Sequence, residues 1–398
     1  MKKIIALIIS FTIICSALSA RNFFSDRFFE VKAGTGLGVS NNLFAANEIL
    51  VKDLVIDLTD LADKCPDDGM NFIVNANPSV EVNLNIAKLH IGCSAGSEIY
   101  GKFDISKDLF NFVGKGNQVG ETLNLNFTAD TDVFAYTQVD VGIDGKKFKL
   151  HVKPAVFVPV VATRGNGGTV KFTNGVDGTI DASVNVNMDV YSPIDLQNPQ
   201  ASINDINQLT NGYGFDLGAY LAWPLSRSLS LDFDVRIPLA AGHIYKKSSY
   251  EGSYSYNVDF SNFKDAQPVM SEPKFTGYED TDFKIHRPMK ASVYLDKNLL
   301  GTLFNARAGG GFGIQRPFSD EQIFYPEYYL GCTLSLFDLI KVGASSRYQD
   351  RVFIHELGAT LSIRFIQVDL GINTQSASFK RSMEVAGLGG FAYVTVGF

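Results

Sequence analysis

Few of the residue types that do chemistry fall in this chain at the spacings chemistry needs. "GCSAG", Gly92 to Gly96, matches the nucleophile-elbow pattern G-x-S-x-G. That elbow presents its serine only where a strand turns sharply into a helix, and Ser94 sits inside a strand-like hairpin instead. The five histidines, His90, His151, His243, His286 and His355, are scattered, with no H-E-x-x-H and no paired-ligand spacing. "GTGLGV", from Gly34, puts Val39 where a dinucleotide-binding turn needs its third glycine. Glycines at a strand start more often mark a bulge or a close backbone approach. Asp53, Asp57 and Asp60 line one flank of a helical segment, where they would hold a cation or simply face solvent. These spacings predict no catalytic constellation, no metal and no cofactor, so the chain does not read as an enzyme.

One set of charges is better organised. Lys147, Lys149, His151 and Lys153 alternate along a single strand-like segment and project to one side. Arg236, Arg307, Lys341, Arg347, Asp232, Asp234 and Asp369 hold the same kind of position elsewhere. If the opposite, apolar side faces lipid, all of them line a lumen, where charge tunes which solutes pass. The basic stripe would then favour anionic groups, including a carboxylate. The other reading is cross-strand pairing with acids such as Asp140, which stabilises any sheet.

The elements that must position these residues are strands. In residues 131–160, "TDVFAYTQVDVGIDGKKFKLHVKPAVFVPV", Asp144-Gly145 reads as a two-residue type I′ turn. Counting from that turn sets Val141 against Phe148, Val139 against Leu150 and Asp140 against Lys149. One face is apolar, the other polar. Residues 228–237, 339–348 and 365–373 repeat the pattern. About fourteen such segments are expected, joined by tight turns at one end and often long loops at the other. A soluble sandwich has no reason to sort its connections in this way. The expected fold is therefore all-β: an antiparallel up-and-down transmembrane barrel. Residues 163–192 read as a Gly-, Asn- and Thr-rich hairpin above it. Residues 47–64 break the two-residue period, with Leu50, Leu54, Leu58 and Leu61 at helical spacing and Asn47 as N-cap. This helix, within the 39–77 insertion, is expected to cross the mouth or dip into the lumen.

Lys2 and Lys3, the apolar run from Ile4 to Cys15 and small residues at 17–20 read as a secretory signal cut after Ser19 or Ala20. About 380 residues would remain as one barrel domain, 21–398. A net charge of −7 argues against nucleic acid. Three cysteines outside the signal supply no disulfide framework. Trp223 and clusters such as "EQIFYPEYY" suit interfacial aromatic girdles.

The closing stretch "GGFAYVTVGF", with the alternating strands, resembles integral outer-membrane β-barrel proteins of diderm bacteria. In that group, a last strand with terminal Phe and alternate apolar residues is read by the barrel-assembly machinery. Val394, Val396 and Phe398 fill that pattern, with Tyr393 where a glycine is usual. The resemblance implies closure of residues 389–398 onto 27–38, and outer-membrane lipid as the surrounding partner. A narrower resemblance is to FadL-type long-chain fatty-acid transporters. "NNLFAANE" at 41–48 keeps Asn42, Ala45 and Ala46 of that family's hatch region but lacks the proline of its Asn-Pro-Ala signature. It implies passive uptake of a hydrophobic small molecule, with long-chain fatty acids foremost. A polar or anionic solute porin and an adhesive or structural surface barrel are the alternatives. The oligomeric state is not legible.

Overall fold

The computed structural model describes residues 27–45, 48, 57–145, 147–195, 211–259, 269–270, 274–300, 303–336 and 339–398. The proposed signal segment, Asn47 and Asp53 fall outside them. Nineteen strand segments form one sheet. They are β1 (Phe29–Asn41), β2 (Met70–Ala76), β3 (Ser79–Ile86), β4 (Leu89–Ile105), β5 (Thr122–Asp144), β6 (Lys149–Asn174), β7 (Thr179–Tyr191), β8 (Gly214–Ser226), β9 (Leu229–Ala240) and β10 (Gly242–Asp259). Then follow β11 (Val269–Met270), β12 (Lys274–Ile285), β13 (Met289–Leu299), β14 (Phe304–Gln315), β15 (Ile323–Leu336), β16 (Ile340–Gln349), β17 (Val352–Ile363), β18 (Ile366–Ser376) and β19 (Gly387–Gly397). Three helices are described: α1 (Leu58–Lys64), α2 (Lys107–Lys115) and α3 (Phe379–Met383).

The sheet closes on itself. β19 pairs antiparallel with β1, from Glu30 opposite Gly397 to Ser40 opposite Gly387. Closure leaves no open edge, as a lipid environment demands of backbone amides and carbonyls. The expected pairing of the 389–398 region with 27–38 is thus what forms.

The expected number of segments is too low, because much of the supposed loop sequence is strand. The hairpin expected over 163–192 does form, with residues 168–174 of β6 paired to both β5 and β7. β7 pairs in turn along β10, from Tyr191 opposite Lys247 to Thr179 opposite Asp259. Residues 243–259 of β10, expected as loop, carry polar side chains such as Lys246, Lys247, Ser248 and Ser249 on both faces, which weakens the alternation by which a strand is recognised. Elsewhere two segments share one line of the wall. β2 and β3 both run between β1 and β4, interrupted at Asn77-Pro78. Asn77 repairs the break: its Oδ1 accepts from the Gly36 amide at 3.0 Å, while its own amide donates to the Gly36 carbonyl at 3.0 Å.

The two rims differ as expected. Turns of two residues join Ile86 to Leu89, Ser226 to Leu229 and Ile363 to Ile366. The turn after Asp144 is a correction. Asp144 pairs with Lys149 and Val141 with Val152, so the turn lies between Asp144 and Lys149, closed by the Gly145 amide on the Phe148 carbonyl at 2.9 Å. Neither Asp144 nor Gly145 takes the positive φ that a type I′ turn requires. Each face survives, because the register moves by an even number of residues.

The other rim carries the helices. Asp57 caps α1, accepting from the Thr59 and Asp60 amides at 2.9 and 3.1 Å. Asp60 pairs with Lys64 at 2.7 Å. The described helix is capped by Asp57, and its aspartates serve capping and pairing, while the expected cap Asn47, with Leu50 and Leu54, lies outside the described residues. α1 packs on α2, with Thr59 Oγ1 donating to the Gly114 carbonyl at 3.0 Å and Lys115 paired with Asp63 at 2.5 Å. Glu48 ties this rim to α3 through Arg381 at 3.5 Å and to α1 through Lys64 at 3.6 Å.

The faces separate by chemistry. Leu357, Leu370 and Ile372 are 61%, 54% and 70% exposed on the outside. Val394, Val396 and Phe398 face outward too, with the Phe398 ring 5.7 Å from that of Phe29. Asp216, Arg287 and Gln375 are buried within.

Two outcomes test this arrangement. Leu357→Arg is expected to destabilise folding into lipid vesicles by about 2–4 kcal/mol, as for a cation set on a barrel's lipid face near the midplane; folding titrations against wild type measure it. The Glu48 carboxyl is held below its ordinary 4.5, first by the Ala45 amide it accepts and then by Arg381 and Lys64. A lowered acid contributes stability above its unfolded value and loses it as pH falls through the folded one. Hydrogen exchange at residues 57–69 is therefore expected to stay slow at neutral pH and to quicken only below the usual carboxylate range.

Candidate functional site

The inward faces of the strands build a lumen whose charges are paired with one another. Glu98 is the centre of one network. Alternation on β4 points it inward, and there it accepts from Arg236 Nη1 at 2.6 Å and from Arg287 Nη2 at 2.9 Å. Arg287, 2% exposed, also donates to Asp216 Oδ2 at 2.7 Å. Its guanidinium lies 4.4 Å from the centre of the Tyr136 ring, a cation–π contact that the ion pairs leave available. Nearby, Lys290 Nζ lies 2.7 Å from Asp350, which also accepts from the Tyr325 hydroxyl at 2.8 Å.

A second network surrounds Asp132. It accepts from Arg164 Nη2 at 2.6 Å and from Gln315 Nε2 at 3.2 Å, with Arg316 Nε at 3.4 Å. Arg316 reaches Asp130 and Glu321 as well, at 3.1 and 3.3 Å. Beside it a buried apolar cluster, Phe134, Phe157, Ala162, Ile244 and Ile285, fills the interior. Buried ions require such partners, since desolvation alone costs several kcal/mol per charge.

Of the basic residues singled out by sequence, Arg347 pairs with Glu356 at 2.9 Å, Lys341 lines a cavity of the lumen, and five more fall into the same scheme. Lys149 pairs with Asp144 at 3.6 Å. His151 lies between Asp140 and Asp144, at 2.9 and 3.1 Å. Lys153 pairs with Asp234 at 3.5 Å and stands 5.2 Å above the Tyr220 ring. Arg236 is held by Glu98, and Arg307 lies 3.7 Å from Asp232 and 4.0 Å from Asp296. Lys147 does not join the stripe: it lies in the exposed turn after β5. The five on the wall all meet carboxylates. Glu98 and Asp216 were not singled out by sequence, although each stands on the inward side of an alternating strand. Arg287 lies between strands and carries no such signal.

Two cavities occupy the lumen. The first, about 420 Å³, is lined from opposite sides of the ring by Tyr100, Phe134, Ile354 and Phe391, with Arg236 and Lys290 among them. The second, about 550 Å³, reaches toward the short-turn rim past Asp296 and Asn305. Glu356 and Phe391 line both and stand where the two meet.

A closed antiparallel sheet with an apolar outside and a charged inside is an integral β-barrel of the outer-membrane kind. No protein-family model matches the chain, and no curated protein matches it by sequence. In outline it is similar to a TodX monoaromatic hydrocarbon channel, the deltaS2 mutant, over 94% of this chain and 91% of that one, at 9% identity and a TM-score of 0.49. It is also similar to the TodX deltaS2S3 mutant, over 96% and 94%, at 10% identity and 0.45. A Pseudomonas aeruginosa FadL homologue aligns over 94% and 90%, at 9% identity and 0.42.

Arg287→Met strands Asp216, which is 1% exposed, without its counter-ion. It is expected to destabilise the barrel by about 3–5 kcal/mol, read in denaturant by the fluorescence of the single tryptophan, Trp223.

Proposed function

We propose that this barrel carries hydrophobic or amphipathic small molecules passively across the outer membrane, with long-chain fatty acids the first substrates to test. One observation carries the reading: two cavities stand in series inside a self-neutralised lumen, meeting at the apolar ring of Phe391. A chamber of 420 Å³ has the size of a small-molecule site. Tyr100, Phe134, Ile354 and Phe391 offer it apolar surface, with Arg236 and Lys290, each paired with a carboxylate, at its wall. Because those cations already hold carboxylates, an ion gains little by entering, whereas an apolar tail leaves water for aromatic surface. Passage would be diffusive, from the upper chamber past Phe391 to the lower one. An open polar-solute porin fits less well, since ion pairs and aromatic rings crowd the lumen.

Proteoliposomes holding the purified barrel are expected to take up labelled long-chain fatty acid faster than empty vesicles. Phe391→Ala should speed entry several-fold, and Phe391→Trp should slow it. In planar bilayers the wild-type barrel should give no large stable conductance. Uptake equal to that of empty vesicles, alongside a steady ohmic channel, would remove this reading in favour of a porin.

A further inference from the structure

Two histidines far apart in sequence meet on the inner wall near the short-turn rim. His90 on β4 lies opposite Gly142 on β5, and Gly142 lies opposite His151 on β6. Asp140, two residues before Gly142 and on the same face, lies opposite Gly92. The imidazole rings stand 4.7 Å apart. Both glycines make the room. A Cβ at Gly142 would come within 2.4 Å of the His151 ring, and one at Gly92 within 3.2 Å of both His90 Nε2 and the Asp140 side chain.

The protons in this cluster can be counted. Asn85 Nδ2 donates to the Arg27 carbonyl at 2.8 Å, which fixes Asn85 Oδ1 as an acceptor. It accepts from His90 Nδ1 at 2.7 Å, so Nδ1 carries the proton of the neutral ring. His90 Nε2 then turns a lone pair toward Asp140 Oδ2, 3.8 Å away, with no hydrogen to share. His151 sets Nδ1 2.9 Å from Asp140 Oδ1 and Nε2 3.1 Å from Asp144 Oδ1. A neutral imidazole donates to only one of two such carboxylates. If Nε2–H donates to Asp144, Nδ1 also presents a lone pair at Asp140. Lone pairs and a carboxylate then converge on one point.

We propose that His90 Nε2, His151 Nδ1 and Asp140 bind a divalent transition-metal ion, zinc fitting best, with solvent in the fourth position. The three donor groups have ligand atoms within 4.8 Å of one another. Zinc with nitrogen and oxygen ligands at about 2.0–2.2 Å needs donors about 3.4 Å apart, so the site closes by side-chain movements of about 1 Å. Asn85 and Asp144 each hold the outer nitrogen of a ligating histidine, the arrangement that fixes tautomer and ring orientation in metal sites. Side-chain exposures of 13%, 11% and 19% for His90, His151 and Asp140 leave the site reachable from the lumen yet shielded. The ion would join β4, β5 and β6 across the wall. This proposal does not depend on what the barrel transports.

The test uses tag-free full-length barrel, folded in detergent and stripped with chelator. Calorimetry with zinc is expected to show one saturable site, and cobalt(II) to give the visible absorption of a tetrahedral nitrogen–oxygen complex. His90→Ala, His151→Ala and Asp140→Asn should each weaken zinc binding at least a hundredfold, and Asn85→Ala roughly 10–100-fold through loss of orientation. Heat-modifiable gel mobility reports whether each variant is folded. Where a histidine variant fails that check, Asn85→Ala, which leaves every ligand in place, decides. No saturable zinc binding by wild type, or equal binding by wild type and the folded variants, would overturn the proposal.

Discussion

Everything in this protein follows from the need to pair backbone groups where no water can. A strand facing lipid on one side must give both edges to neighbours, and only closure of the first strand on the last satisfies all of them. β1 and β19 make that closure over eleven residue pairs. Closure then dictates the side chains, because each strand presents alternate residues to lipid and to lumen. The apolar half of the code is simple. The polar half is harder, since charges inside a narrow barrel see little solvent and must be matched.

The lumen meets that second demand by local pairing. Glu98 takes two arginines, Asp132 gathers Arg164, Arg316 and Gln315, and Asp350 holds Lys290 and Tyr325. Such pairing makes the interior rigid, because removing one partner exposes a desolvated ion. Aromatic rings such as Phe134 and Phe391 take the space that paired charges leave.

Much of this was legible in the sequence, for a physical reason. Lipid contact imposes a strict two-residue period, so the faces of 228–237, 339–348 and 365–373 could be read directly, and so could the closing strand. The Asp144-Gly145 turn misled because dipeptide preference is a local signal. That turn lies between Asp144 and Lys149, and Lys147 sits in it rather than on the wall. The long connections misled in the opposite sense. The distal part of β10 and most of β12 extend beyond the apolar belt, where no lipid face enforces alternation. Clusters assembled across strands are the least legible. His90 and His151 come together only through two pairings with Gly142, and no spacing along the chain records that.

On the proposed route an apolar or amphipathic solute traverses the lumen by way of the chamber bounded by Phe391. Photocrosslinking measures this most directly. A long-chain fatty acid with a diazirine near its tail would be irradiated with the folded barrel in lipid vesicles, and the labelled residues mapped by mass spectrometry. Labels are expected on inward residues such as Phe134, Ile354 and Phe391, displaced by excess unlabelled fatty acid. Labels confined to outward residues such as Leu357 and Ile372, undiminished by competitor, would contradict that route.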